Sequence, residues 1–182
     1  MRRTTVLAGA VIPLVLVLAG CGSDNPKPAP PETSSASPSA SPSAVAPTMP
    51  AEAKGTGPEA AKAFVKHYLA MFSYAARTGD VSGMRSLAAD GCNSCRELTD
   101  KIQKVYEDGG SASGRGYKER VLRITESTSS RVVLRGVVIQ FAQRSVPSSG
   151  ASPKTFPRGE LQSQFEVVQQ AGTWHLKDWS LL

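Results

Sequence analysis

Three cysteines, two histidines and a handful of carboxylates are the residues that could do chemistry in this chain of 182 residues. Cys21 follows Leu18-Ala19-Gly20, at the end of an apolar run from Val6 to Leu18 that Arg2 and Arg3 precede. A basic start, a short apolar stretch and small residues leading into a cysteine make a leader of the bacterial lipoprotein type. The chemistry is acylation. Residues 1–20 are read as a signal peptide, and Cys21 as the lipidated first residue of the mature chain. A retained span would need roughly 20 apolar residues, and this run is shorter and contains Pro13. An ordinary secretory leader is the alternative, and the Leu18-Ala19-Gly20 spacing argues against it. More than one acyl chain gives lasting attachment, so the expected location is the outer face of the bacterial cytoplasmic membrane.

Assigning Cys21 to lipid leaves Cys92 and Cys95. Two leftover thiols outside the cytoplasm are expected to pair. Three residues apart on a helical turn, their Cα atoms would stand roughly 5–6 Å apart, within disulfide reach. The structural reading is a small clip at the start of a helix. The functional alternative is a dithiol redox site, because a helix N-terminus can lower a thiol pKa. Against it, no strand precedes the pair as a thioredoxin-like unit requires. Zinc needs more ligands than one Cys-x-x-Cys, and His67 and His175 are far from it in sequence. No metal or other cofactor is expected.

These residues need elements to position them. Residues 21–57 read as the lipidated cysteine and a disordered linker. From Pro26 to Pro50 the chain is almost all Pro, Ser, Ala and Thr, with Ser-Pro-Ser-Ala at 37–40 and again at 41–44. Such a composition buries too little to offset its ordering entropy. Its reach lies between roughly 35 Å as a coil and roughly 110 Å extended, which suits a spacer. Residues 58–182 have the length of one domain with a real core.

That domain reads as helices followed by strands, which points to α+β rather than alternating units. The first helix spans about Pro58 to Arg77, with Ala61, Phe64, Val65, Tyr68, Phe72 and Ala75 on its buried stripe and Gly79 as its left-handed cap. Asp80 is placed to cap a short helix over 81–89. Ser94-Cys95-Arg96-Glu97 reads as a capping box for a third helix, with Leu98, Ile102, Val105 and Tyr106 facing inward. Asp108-Gly109-Gly110 ends it, and the Gly/Ser-rich stretch to Gly116 reads as a flexible loop. Strands are expected at about 117–126, 131–144, 160–170 and 173–181, with a proline-broken loop over 145–159. In the last strand Trp174 and Leu176 share one parity, while Trp179 and Leu181 share the other. A bulge near Lys177-Asp178 would bring all four to one face.

Ala63-Phe64-Val65-Lys66-His67-Tyr68, Tyr74-Ala75, Thr78-Gly79-Asp80 and Cys92-Asn93-Ser94-Cys95 together resemble an actinobacterial lipoprotein family of unknown function, the domain-of-unknown-function 6318 group. Val105-Tyr106-Glu107-Asp108-Gly109-Gly110 and the final Gly-x-Trp strand fit it too. The helices-then-sheet order, with Gly79-Asp80 between the first two helices, also looks like the nuclear-transport-factor-2-like fold. That resemblance implies a cone formed by helices and a curved antiparallel four-stranded sheet. Such a cone hosts isomerases, dehydratases and non-catalytic binding modules, so it permits a pocket without implying chemistry.

Within such a cone, His67, Tyr68, Trp174 and Asp178 are the pocket candidates. A catalytic carboxylate would have to face inward near a Tyr or His; Asp178 with Tyr68 could serve, although the bulge leaves its facing open. His67 lies beside the apolar stripe, and its plainer role is packing with a hydrogen bond. The plainer role of Trp174 is core, with Trp179, Phe165, Phe64 and Phe72. No serine or cysteine forms a nucleophile–base spacing, so no catalytic residue is assigned.

The net charge of +6 falls to +4 when Arg2 and Arg3 leave with the leader. The remaining cations are scattered among acids, as on a solvated surface with mild attraction for anionic lipid or wall polymers. Nucleic acid is a poor partner for such a domain. The favoured expectation is a membrane-tethered, non-catalytic binding or interaction module of the cell envelope. Its partner would be an envelope protein, a wall component or a small apolar ligand. The alternatives are an isomerase- or hydrolase-type enzyme using the cone, and a thiol–disulfide protein at Cys92/Cys95. The sequence sets no oligomeric state.

Overall fold

Helix α1, Pro58–Thr78, forms where the sequence places an apolar stripe at helical spacing. Pro58 opens it at a position where the missing N–H costs nothing. Gly79, at φ 78°, closes it by donating its N–H to the Ala75 carbonyl. The structure, a computed structural model, describes residues 45–182. The leader, Cys21 and most of the linker lie outside the described residues.

The packed chain begins before Pro58. A 3-10 turn at Ala51–Lys54 lies against α1, with Ala53 buried and Met49 on the core. The boundary between linker and domain therefore falls upstream of residue 58. Composition hides this, because the segment is anchored by a single alanine and a methionine among prolines.

Helix α2 is shorter than the sequence suggests, Ser82–Ser86. Asp80 does cap this turn: its carboxylate accepts from the Ser82 amide at 3.0 Å and the Ser82 hydroxyl at 2.6 Å. The helix ends early because the backbone after it is taken by a strand. Ala88 bridges Leu176 in parallel, with Leu176 N–H on the Leu87 carbonyl and Ala89 N–H on the Leu176 carbonyl.

Helix α3 spans Asn93–Glu107. The expected capping box does not form. Cys92 is the N-cap, and its sulfur accepts the Cys95 N–H at 3.2 Å. Ser94 sits inside the first turn, and its hydroxyl is drawn away to the sheet.

The strands are β1 Ser111–Gly114, β2 Tyr117–Ser127, β3 Arg131–Gln140, β4 Gln143–Val146, β5 Lys154–Phe156, β6 Gly159–Gln170 and β7 Thr173–Leu181. A four-stranded antiparallel sheet runs in the order β2-β3-β6-β7, and a three-stranded one in the order β1-β4-β5. The fold is α+β, helices followed by antiparallel sheets, as the resemblance implied. The small sheet departs from the sequence reading. It recruits β1 and β5 from stretches read as loops, and it splits the expected strand 131–144 after Gln140. Serine, glycine and proline mask these short strands, which exist only because they pair with each other.

Three bulges bend the large sheet: one at Arg120, one at Thr125 and one at Lys177. The last is the bulge the parity switch required. It aligns Trp174, Leu176, Trp179 and Leu181 opposite Gln169, Val167, Phe165 and Ser163 on one face. Gly136 pairs with Leu122, close to the Arg120 bulge, and a Cβ there would strike the Val121 carbonyl. The concave face so formed takes α1, and Phe64, Val65, Tyr68, Leu134, Phe165 and Leu176 are all fully buried there.

Candidate functional site

The concave face is filled unevenly. Under α1 the packing is closed. Ser73 secures that side: its hydroxyl accepts the Tyr117 N–H at 2.8 Å and donates to the Leu69 carbonyl at 2.8 Å. Gly116, at φ 78°, lets β2 start this close, since a Cβ there would collide with the Ser73 side chain.

Helix α3 is held to the sheet chiefly at its first turn. The Ser94 hydroxyl donates to the Asp178 carboxylate at 2.8 Å and accepts the Trp179 N–H at 3.2 Å. Cys92 and Cys95 lie at disulfide distance, with Cα atoms 5.3 Å apart, and both are buried. Farther along, the helix stands off the sheet and a cavity opens.

That cavity has two adjoining chambers that share Phe72, Leu98, Lys101, Tyr117 and Gln140 as walls. The inner chamber, about 420 Å³, is completed by Ser94, Cys95 and Glu97 of α3, by Tyr68, and by Leu161, Leu176, Trp179 and Leu181 of the sheet. The outer one, about 380 Å³, runs toward the small sheet past Tyr106, Arg144 and Phe156. Aromatic rings form much of the inner wall. Phe72 stacks on Tyr117 at 4.5 Å, and Trp179 stacks on Phe165 at 5.3 Å while meeting Phe72 edge-on at 5.4 Å. Lys101 and Glu97 mark the rim; their side chains are 77% and 68% exposed and stand 3.9 Å apart.

Of the four pocket candidates, the structure brings one to this cavity. Tyr68 lines the inner chamber, and burial raises its pKa beyond the ordinary tyrosine range. Its phenol stays protonated, and its hydroxyl is buried without a protein partner. His67, one residue earlier, faces the other way: it lines a separate cleft with Pro47, Thr48, Pro50 and Glu52. Burial lowers its pKa, so it is neutral near pH 7. Trp174 is buried core outside both chambers, its indole N–H without a protein partner. Asp178 is not among the residues lining either chamber; it serves as the acceptor that ties Ser94 down. The pairing of Asp178 with Tyr68 at one catalytic centre is thus not formed. The lone buried stripe of α1 could not reveal this, because neighbouring residues on a helix diverge by about 100°.

The sequence reading missed Trp179, Tyr117, Lys101 and Gln140 as cavity residues. Trp179 carried a signal, since the bulge needed to align it with Trp174 also turns it inward. Among the described residues no cluster of three or more His, Cys, Asp or Glu could hold a metal ion.

A family of unknown function, DUF6318, matches residues 31–179. The chain belongs to this family. No curated protein matches it. Among solved structures, the DUF6318 domain is similar to the intermembrane space region of the chloroplast protein ARC6. The TM-score is 0.55 at 13% identity, covering 75% of this chain and 98% of that one. An uncharacterised protein with a cystatin-like fold from Caulobacter vibrioides gives a TM-score of 0.44 at 12% identity, covering 70% and 91%. A putative scytalone dehydratase from Novosphingobium aromaticivorans gives 0.42 at 16%, covering 64% and 79%. At these identities the likeness describes the fold of the DUF6318 domain alone.

Proposed function

We propose that this protein is a lipid-anchored, extracytoplasmic binding module of the actinobacterial lipoprotein type, holding a small apolar ligand in the cavity beneath α3. The observation that carries this reading is the inner chamber of about 420 Å³, whose lining includes the apolar and aromatic Phe72, Tyr117, Leu161 and Trp179 beside the polar Ser94, Glu97, Lys101 and Gln140. An apolar cavity with a few convergent polar groups is the usual form of a small-molecule site. The lining supports a binding site: mostly apolar side chains, with Lys101 and Glu97 3.9 Å apart at its exposed edge.

The anchor reading rests on the Leu18-Ala19-Gly20-Cys21 leader. Among the described residues no helix is long and apolar enough to cross a membrane. The Pro/Ser/Ala linker would lift the domain from the bilayer, and the cavity would meet its ligand beyond the headgroups. The Cys92–Cys95 pair would be an oxidised structural clip, since both thiols are buried behind the first turn of α3.

Two measurements test this. Cys21→Ala is expected to leave the membrane fraction or to remain unprocessed, and fractionation like the wild type overturns the anchor. Full-length protein in detergent, dialysed against 2-ethylnaphthalene with empty micelles as reference, is expected to take up the probe. Leu161→Trp, which fills the inner chamber, is expected to abolish uptake while circular dichroism stays unchanged. Equal uptake by both proteins overturns the cavity reading. It would favour an envelope protein or wall component as partner, to be sought by crosslinking in intact cells.

A further inference from the structure

The positive charge of the described chain is not spread evenly. Residues 109–118 and 141–159, which carry the small sheet and its flanking loops, hold Arg115, Lys118, Arg144, Lys154 and Arg158 and no Asp or Glu. The rest of residues 45–182 holds thirteen Lys and Arg against thirteen Asp and Glu. All five cations are exposed, and none forms an ion pair among the described residues. The acids that border these stretches, Asp108, Glu119 and Glu160, are already held by Lys104, Lys66 and Arg120. Folding gathers the cations. Strand pairing sets Arg144 opposite Thr155 and Lys154 opposite Ser145. The Gln140 side chain donates to the Pro157 carbonyl at 3.3 Å, and the Phe141 N–H donates to the Gly116 carbonyl at 3.0 Å. Arg158 and Arg115 therefore adjoin one corner, with Lys118 beside it opposite Ile139. The Arg115 guanidinium stands over the Phe141 ring, 4.2 Å from its centre.

We propose that the small sheet and this corner bind a linear, flexible anionic polymer of the cell wall, its charges carried by phosphate or carboxylate groups. The wall as source rests on the extracytoplasmic reading above; the sign and spread of the charge rest on the structure. Unpaired Arg and Lys donate charge-assisted hydrogen bonds to such oxyanions, and a surface without acids holds its potential undiminished. Full exposure suits a hydrated polymer rather than one small anion, which would need converging, sheltered donors. The placement also favours a chain over a bilayer. Along β5, Lys154 and Phe156 share one face, while Thr155, with Arg144 opposite, lies on the other. A flexible chain can pass round that edge, whereas a flat surface meets only part of it. The loop over 147–153 is Pro, Ser, Gly and Ala and offers a bilayer no bulky apolar side chain. Phe156 is the one large apolar side chain of these stretches that is well exposed, at 44%.

The test titrates the full chain in a neutral detergent with long-chain polyphosphate and with poly-L-glutamate. Binding to at least one is expected, falling with salt at a log–log slope of roughly −3, the counterion release of the contacts this patch can make on a flexible chain. The triple variant Arg144→Ser, Lys154→Ser, Arg158→Ser is expected to bind more weakly, with a slope of roughly −1. A control, Lys54→Ser, Arg85→Ser, Arg96→Ser, removes the same charge elsewhere and is expected to keep the wild-type slope. All six side chains are exposed, so circular dichroism should be unchanged in both variants and a lost slope is not a lost fold. Equal loss in the two variants reduces the attraction to net charge and overturns the site, as does binding to neither polymer. A polarity-sensitive dye on Thr155→Cys, in the chain anchored to phosphatidylcholine vesicles, is expected to respond to added polymer. It should not respond when phosphatidylglycerol is mixed into the vesicles without polymer; such a response overturns the polymer in favour of the bilayer. Cys21→Ala fractionating like the wild type would remove the wall as the source and leave the polyanion site standing.

Discussion

Helices α1 and α3 meet the same concave sheet in opposite ways. Helix α1 lies in it along its length, burying Phe64, Val65, Tyr68 and Leu69, and its one buried hydroxyl to reach the sheet, that of Ser73, has both donor and acceptor partners. Helix α3 is held at its first turn by Ser94, Cys92 and Cys95, and beyond that turn leaves a cavity. The α1 side is packed along its length, with Tyr68 OH its unpaired buried group, whereas the α3 side packs through Cys95, Thr99 and Ile102 and leaves the cavity between itself and the sheet. A region left unfilled beside a well-filled one costs stability, and that cost is concentrated at the aromatic wall.

The largest test of this contrast is a pair of truncations. Phe64→Ala is expected to lower stability by about 3–5 kcal/mol in urea unfolding, because the closed side leaves a cavity behind. Leu98→Ala, on the cavity wall, should cost about 1 kcal/mol or less, since its side chain already faces open space. Equal costs would erase the distinction between the two sides.

Hydroxyl deletions sharpen it. Ser73→Ala leaves the Tyr117 N–H without its partner and is expected to cost about 1–3 kcal/mol. Ser94→Ala releases Asp178 and the Trp179 N–H nearer to solvent, and should cost about 1 kcal/mol. Ser94→Ala should also alter probe uptake, because it loosens the hinge of the cavity, whereas Ser73→Ala should not. Opposite results in dialysis would place the moving part under α1.

Reducing the Cys92–Cys95 pair acts on the α3 side alone. The loop it closes is tiny, so the expected loss is near the lower end of the usual range, about 2 kcal/mol. The reduction potential should be strongly negative, as for a structural bond. A potential near that of glutaredoxins would make the pair an exchange site instead.

The smallest effect concerns His67, on the outer side of α1. Burial sets its folded pKa below the unfolded value of 6.5. The unfolded chain then binds the proton more readily, so this group's contribution is complete above about pH 6.5 and is lost as pH falls below it. His67→Gln is expected to flatten that acid limb of the stability–pH profile. An unchanged limb would assign acid sensitivity to the carboxylates.

Much of this architecture was legible in the chain. The stripe of α1 and the Gly79 cap follow from spacing and from the conformational freedom of glycine. The parity break between Leu176 and Trp179 required the Lys177 bulge. The small sheet was not legible, because Ser111–Gly114 and Lys154–Phe156 have no β-pattern of their own and gain one only by pairing with β4. The Ser94 capping box failed for a related reason. Local sequence offered Ser94 the helix backbone, and β7 offered it a carboxylate and an amide, the stronger partners.

The candidate site divides along the same line. Tyr68 was found because it lies on a strong helical stripe, while Trp179 was read as core and Tyr117, Gln140 and Lys101 were not singled out. His67 and Asp178 were proposed for the same pocket, and folding sent them to a separate cleft and to a structural tie. The sequence by itself determined the linker composition, the helix-then-strand order and the three-residue spacing of Cys92 and Cys95. These are decided by patterns within a few turns or residues. Only the tertiary structure decided that α3 would stand off the sheet, and that Tyr68 and Trp179, 111 positions apart in the chain, would border one cavity. No local interaction records such a meeting; it comes from sheet curvature, and the curvature comes from bulges whose partners lie on other strands.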